Sequence, residues 1–318
     1  MRKTALDMVY QLAKKDERII FIGSDLGVGT LKEFKKEMPE RFLMEGVSEQ
    51  NIIGIATGFA LEGKIVYVNT IATFLTRRCF EQNVLDLGLH NANVRLIGNG
   101  GGVVYAPLGP THLAIEDIAI MRTIPNMSII VPADANEMMR VMPQTVNHKG
   151  PIYIRVAKGN DPIVTPYDEK FHIGKANLIH EGKDVLVITT GITLGMAKEA
   201  LEILKEEGIE ISILHVPTIK PLDEDFLIEM IKKVSLVVTI EEHIIIGGLG
   251  SAVAEIIAER FSSGKKFARV GFPNRFPEGY GSQLDMMARE NVSTKNLVSV
   301  IKQKLLKEEK FNTTNMGV

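Results

Sequence analysis

The hexapeptide Glu-Gly-Val-Ser-Glu-Gln at Glu45–Gln50 runs directly into the apolar stretch Asn51–Leu61. Ser48 fits an N-cap, which puts Glu49 in the first helical turn, where the helix dipole favours the anionic carboxylate. Ile52, Ile53, Ile55, Ala56, Phe59 and Ala60 cover most of the helix circumference, so a buried helix is expected. A carboxylate at the mouth of a buried helix must find a partner or take up a proton. Read alone, the hexapeptide fits a helix-capping glutamate as well as a proton-transfer group.

Three further stretches carry chemistry-bearing side chains. In Thr73–Gln82 (T-F-L-T-R-R-C-F-E-Q), Phe74 precedes two adjacent cations, Arg77 and Arg78. An aromatic ring with nearby arginines can stack on a flat heterocycle and bind anions, and equally well serves as a core phenylalanine beside a solvated cation pair. Gly100–Gly102 and Pro107–Asp117 (P-L-G-P-T-H-L-A-I-E-D) form a glycine- and proline-dense loop ahead of a helix, with His112 at the junction. Ligand groups gather on such loops above the strand ends of an α/β sheet, although a lone histidine also serves structure. Glu241–Glu255 holds Gly247, Gly248 and Gly250 at a helix start. G-G-x-G is a loose match to an anion cradle, and the turn reads as mainly architectural.

The elements that must position these residues follow an α/β rhythm. Candidate strands Arg18–Gly23, Ile65–Val68, Val94–Gly98, Ser128–Pro132 and Ile152–Val156 alternate with helical patterns at Ser48–Leu61, Thr76–Leu89, Ile115–Thr123 and Asn136–Asn147. Short β-branched runs separated by helices of this length predict βαβ units and a parallel sheet covered on both faces. Lys158–His172 lacks apolar periodicity and reads as a linker or extended arm. The alternation restarts at Asp184 and closes with a charged helix, Lys295–Lys307. The predicted fold is α/β with two doubly wound domains, residues 1–160 and a smaller, mainly parallel domain at 176–307. A linker spans 161–175, and 308–318 reads as a flexible tail.

Composition narrows the function classes. Among 318 residues, 37 Lys and Arg face 39 Asp and Glu, a formal net charge of −2 with no basic block. That gives no electrostatic reason to expect nucleic acid or an acidic membrane surface. The single cysteine, Cys79, builds neither an intrachain disulfide nor a cysteine-rich metal site. No apolar run approaches the ~20 residues that span a bilayer, and Asp7 and Gln11 interrupt any secretory signal. A cytoplasmic protein handling small molecules is expected. Walker A, His-Glu-x-x-His, G-x-S-x-G and G-x-G-x-x-G sequences are all missing.

In register, these stretches resemble the C-terminal half of transketolase from about Arg2 to Leu306. The ordered set is D-L after the first strand, G-V-S-E-Q, T-F-L-x-R, G-P-T-H, a late R-V, then P-L-D and E-E-H…G-G-L-G-S-A-V. Deoxyxylulose-phosphate synthase and ketoacid dehydrogenase β subunits share the architecture more distantly. The resemblance implies a thiamine diphosphate enzyme with a pyrimidine-binding domain followed by a C-terminal domain. It implies that Glu49 hydrogen-bonds the aminopyrimidine ring nitrogen and relays the proton that activates the thiazolium carbon. A dry interface would raise that carboxylate's proton affinity toward the working pH. It further implies that Phe74 stacks on the pyrimidine and His112 faces the substrate, with Arg77 and Asp25 on the cofactor side.

In that family a Gly-Asp-Gly…Asn motif in a separate preceding domain holds the diphosphate through Mg2+ (or Ca2+ or Mn2+). No Gly-Asp-Gly occurs in these 318 residues. The resemblance therefore implies a split enzyme, whose partner subunit supplies the metal and diphosphate pocket in an α2β2 heterotetramer. Arg2 and Arg155 match arginines that reach substrate phosphate. Elsewhere the pattern departs: the family's serine falls on Gly29, its phosphate-side histidine on Gly100 and its hydroxyl-binding aspartate on Leu108. Losing a buried acceptor of that kind removes about 1–3 kcal/mol, and an apolar wall at Val103–Leu108 penalises unpaired hydroxyls. Ketol transfer between a ketose donor and a non-standard sugar or sugar-phosphate acceptor is the leading expectation. The alternatives are pyruvate-dependent acetyl transfer, a non-catalytic regulatory paralogue and a nucleotide-binding module at Gly250.

Overall fold

The computed structural model describes residues 1–24, 30–157, 159, 161–166, 170–262 and 264–314, with backbone alone from Lys307 onward. Asp25 and Gly29 lie outside the described residues.

Two sheets organise the chain. Strands β1 (Ile19–Gly23), β2 (Phe42–Met44), β3 (Ile65–Ile71), β4 (Val94–Asn99), β5 (Ser128–Ile130) and β6 (Ile152–Val156) come from the first half. The second half supplies β7 (Asn177–His180), β8 (Val185–Thr189), β9 (Ile211–His215), β10 (Thr218–Lys220), β11 (Leu236–Ile244) and β12 (Lys266–Phe272). The first sheet has seven strands in the order β10-β5-β6-β4-β3-β1-β2, and the second has five in the order β12-β11-β8-β9-β7. Among the described residues, the strand pairings are parallel except β10 with β5 and β7 with β9. These are two α/β layered units, the second smaller and mainly parallel.

Strand side chains alternate between two buried faces, which is why the strands read as continuous apolar runs. On one face Ile20, Ile22, Val66, Val68 and Leu96 join Leu186, Ile188, Leu214 and Leu249 of the second half in a single core. On the other, Ile19, Phe21, Ile65 and Tyr67 pack with Leu6, Val9 and Met138. The core is therefore continuous between the halves.

Several elements differ from the sequence expectation. The helical pattern Thr76–Leu89 is three pieces: an α-helix Ala72–Thr76, a short α-turn Phe80–Gln82 and a π-helix Asn83–Leu89. The breaks are held by side chains: Thr76 donates to the Ala72 carbonyl (2.9 Å), and Asn83 Nδ2 donates to the Leu75 carbonyl (2.7 Å). A further helix, Arg2–Ala13, precedes the first expected strand and buries Ala5, Leu6, Val9 and Ala13, a spacing of helical period. The last helix, Thr294–Thr314, continues past Lys307 into the stretch expected to be a tail. The arm after β6 is strapped down by Asp134, which caps the helix Ala135–Asn147 and accepts the Val164 and Thr165 N–H groups at 2.7 and 2.6 Å. Among the described residues, no helix is long and apolar enough to cross a membrane.

Candidate active site

The parallel strands β1 to β6 all point their carboxyl ends to one edge of the first sheet, the edge where ligand-binding loops of α/β folds collect. Glu49 arrives there from β2. Gly46 takes a left-handed φ of 65° in the turn that leads into the helix Glu49–Leu61. Ser48 occupies the N-cap position as expected, but its hydroxyl donates back to the Glu45 carbonyl at 2.9 Å and does not cap. Glu49 is 3% exposed. Its Oε2 accepts a charge-assisted hydrogen bond from Arg78 Nη1 at 2.6 Å.

Phe74 follows β3 within the helix Ala72–Thr76. The turn after that helix brings the Arg78 guanidinium back over the Phe74 ring, its Cζ 4.1 Å from the centroid. His112 ends the short helix Pro110–His112 after β4 and meets the Phe74 ring edge-on, centroids 5.3 Å apart at 63°. Its Nδ1 lies 2.9 Å from the Thr111 hydroxyl. Glu49, Phe74 and His112 are thus brought together, with Arg78, the second of the two cations after Phe74, as a fourth member.

Arg77 goes elsewhere. Its Nε lies 3.0 Å from Glu116 and its Nη2 donates to the Thr111 carbonyl at 3.1 Å, so it braces the loop that carries His112. Burial raises the Glu116 carboxyl above its ordinary value, with Arg77 pulling the other way. Cys79 is buried, and burial pushes its thiol up to about 12, so it is no nucleophile.

The phosphate-side candidates divide. Arg155 is buried: its Nε lies 2.8 Å from Asp117, and its Nη2 donates to the carbonyls of Glu242 (2.8 Å) and Ala114 (3.2 Å). The Arg155 side chain thus lies in the seam between the two halves. Arg2 opens the first helix, half-buried, and makes no ion pair among the described residues.

The glycine run explains itself by close approach. A Cβ on Gly100, at a left-handed φ of 73°, would lie 2.1 Å from the Tyr105 ring. One on Gly101 would meet the Arg155 side chain at 2.5 Å, and one on Gly102 the Glu242 carboxylate at 2.2 Å. Tyr105, which no motif singles out, fills the space beside Gly100. The expected apolar wall is shorter than Val103–Leu108: Val103, Val104 and Ala106 are buried in the core, leaving Pro107 and Leu108 exposed, with Tyr105 half-buried.

The Gly247–Gly250 turn holds no open anion cradle. Glu241 supplies the anion itself, accepting the Leu249 and Gly250 N–H groups at 2.7 and 2.8 Å where the helix Leu249–Arg260 begins. This occupies the donors a nucleotide phosphate would need.

Comparison with known proteins matches this arrangement to one family. Residues 1–162 match the family model described as transketolase, pyrimidine binding domain, and residues 174–293 match transketolase, C-terminal domain. The chain is 36% identical to the 6-deoxy-6-sulfo-D-fructose transketolase subunit SqwH of Clostridium sp., over 88% of this chain and 90% of the relative. It is 37% identical to one subunit of the apulose-4-phosphate transketolase of Phocaeicola vulgatus, over 81% of this chain and 83% of that one. Among solved structures, a split gene transketolase described as an inactive beta4 tetramer superimposes with a TM-score of 0.87 and 32% identity, covering 96% of this chain and 97% of its own.

Proposed function

Because the chain belongs to the transketolase family, we propose that it is the C-terminal subunit of a split, thiamine diphosphate-dependent enzyme that moves a two-carbon ketol unit between sugars. Relatives of nearly the same length that are themselves named as subunits support the division of labour. In this reading residues 1–160 are the pyrimidine-binding domain and 176–307 the C-terminal domain. A partner chain supplies the diphosphate pocket and its metal, in an assembly of two copies of each.

The observation that carries the reading is the paired seat of Glu49 and Phe74. A buried carboxylate and an aromatic face are placed so that one flat, N–H-bearing group touches both, and the Arg78 guanidinium does so. The donor set and the shape therefore fit an aminopyrimidine. When bound, the cofactor supplies the electron sink that lets a carbon–carbon bond beside a carbonyl break and re-form. Glu49 accepts and returns a proton at the pyrimidine ring nitrogen, its burial keeping water from competing for that proton. Phe74 fixes the ring plane by stacking. His112 is held by its edge contact with Phe74 and by Thr111 at Nδ1, which leaves Nε2 to face the substrate. Arg77 holds the loop in place through Glu116 and the Thr111 carbonyl.

A non-standard sugar fits better than the pentose phosphates. Leu108 is exposed on the loop next to His112, at the position matching the family's hydroxyl-binding aspartate. The two relatives are named for 6-deoxy-6-sulfo-D-fructose and apulose 4-phosphate. Two measurements test the proposal. The chain mixed with its partner should take up thiamine diphosphate in a calorimetric titration, and no uptake overturns the reading. The same complex should form little sedoheptulose 7-phosphate from xylulose 5-phosphate and ribose 5-phosphate; robust formation overturns the substrate assignment alone.

A further inference from the structure

We propose that Arg78 is a placeholder for the pyrimidine ring, seated in the free chain and displaced when the cofactor enters. This rests on the reading of Glu49 and Phe74 given above. A guanidinium and an aminopyrimidine share the features that matter at such a seat: both are planar, both present in-plane N–H donors to a carboxylate, and both offer a flat face to an aromatic ring. Arg78 makes the two contacts together, 2.6 Å from the Glu49 oxygen and 4.1 Å above the Phe74 centroid. A heterocycle stacked on the Phe74 face and bonded to the Glu49 carboxylate would take the same space, so the two planes cannot share the seat.

The asymmetry of the pair decides which member moves. The Glu49 side chain is 3% exposed and fixed at a helix start, whereas the Arg78 side chain is 42% exposed. The Arg78 backbone stays anchored, because its carbonyl accepts from Gln50 Nε2 at 3.1 Å and the neighbouring Cys79 thiol donates to the Phe74 carbonyl at 3.3 Å. Rotation of one side chain into solvent therefore opens the seat without unfolding the turn. While seated, Arg78 gives the Glu49 carboxylate a charge-assisted partner that is itself open to water, so the chain waits for its partner with the acid satisfied. The cofactor has to outcompete an intramolecular contact, which lowers its apparent affinity by the fraction of chain that is open.

The test uses the full chain and a neutral fragment that needs no diphosphate pocket, 4-amino-5-hydroxymethyl-2-methylpyrimidine, titrated by NMR. Arg78→Ala and Arg78→Gln should each tighten binding about 10-fold, equivalent to ~1.4 kcal/mol. Adding salt should strengthen binding to the unaltered chain, by screening the Arg78–Glu49 pair, and leave both variants unaffected. In the Arg78→Ala background, Glu49→Ala should abolish the gain. Equal or weaker binding by both Arg78 variants, with Glu49→Ala still removing it, overturns the placeholder and leaves the seat intact. No binding by any variant, together with no thiamine diphosphate uptake by the reconstituted complex, overturns both.

Discussion

Two arginine–carboxylate clusters in this molecule use the same chemistry at different depths. At the carboxyl edge of the first sheet, Arg78 pairs with Glu49 and lies on Phe74 with 42% of its side chain exposed. At the seam between the halves, Arg155 pairs with Asp117 and lies 3.8 Å from Glu242 with 6% exposed, while Tyr153 donates to Asp117 at 2.6 Å. The seam cluster is closed in on itself: Glu242 also accepts from the Val103 N–H at 3.0 Å and from Gln283 at 2.8 Å. Depth separates a contact that a ligand can replace from one the fold cannot release. Damage at the seam should therefore show in stability, and damage at the edge in chemistry.

The largest effect is expected at the seam. Arg155→Met leaves the buried Asp117 carboxylate without its guanidinium partner, which costs about 3–5 kcal/mol. Urea denaturation should show that loss, and a change under about 1 kcal/mol would contradict the division by depth. At the edge, Glu49→Gln should lower turnover of the reconstituted complex by at least about 100-fold, the scale of a lost proton-transfer group, while the urea midpoint barely moves. A complex that keeps full activity with the Glu49→Gln substitution would point instead to a non-catalytic paralogue.

The seam also has a pH signature. Burial pushes the Glu242 carboxyl up to about 7 from an ordinary 4.5, against the pull of Arg155, the Val103 N–H and Gln283. The folded chain then holds a proton that the unfolded chain releases between those two values, so this group's contribution to stability falls as pH rises from about 4.5 to 7. The loss is about 3 kcal/mol at most, and Glu242→Gln should flatten that part of the stability curve. The smallest effect is the stability change for Arg78→Ala, within about 1 kcal/mol because the pair is half open to water. A cost matching that of Arg155→Met would erase the distinction between edge and seam.

Much of the architecture is legible in the sequence because the strands are apolar on both faces and spaced by helices, a pattern that needs no long-range information. β2, β7 and β10 escape because each is three or four residues long and none carries the continuous β-branched run that marks the equally short β5. In the site, Glu49, Phe74 and His112 stand out because each follows a strand, where topology alone brings chain ends together. Arg77 and Arg78 cannot be told apart by sequence: a helix running unbroken through Arg77 would point them differently, and the turn there is set by the side-chain bonds of Thr76 and Asn83 to backbone carbonyls. The burial of Arg155 is illegible for a related reason. In a strand covered on both faces, alternation does not say which side meets solvent. Tyr105 escapes notice because its role depends on a neighbour that lacks a side chain.

The antiparallel strand β10, borrowed by the first sheet from the second half, makes the two halves inseparable in practice. Its residue Thr218 lies opposite Ile130, and the Val131 N–H bonds the Pro217 carbonyl at 2.7 Å. A fragment ending before the second half would bare an unsatisfied sheet margin at Ser128–Ile130, together with the greasy surface that Leu186, Ile188 and Leu214 now cover. Such a margin recruits other chains, so a truncated protein should clump where the intact one stays dispersed.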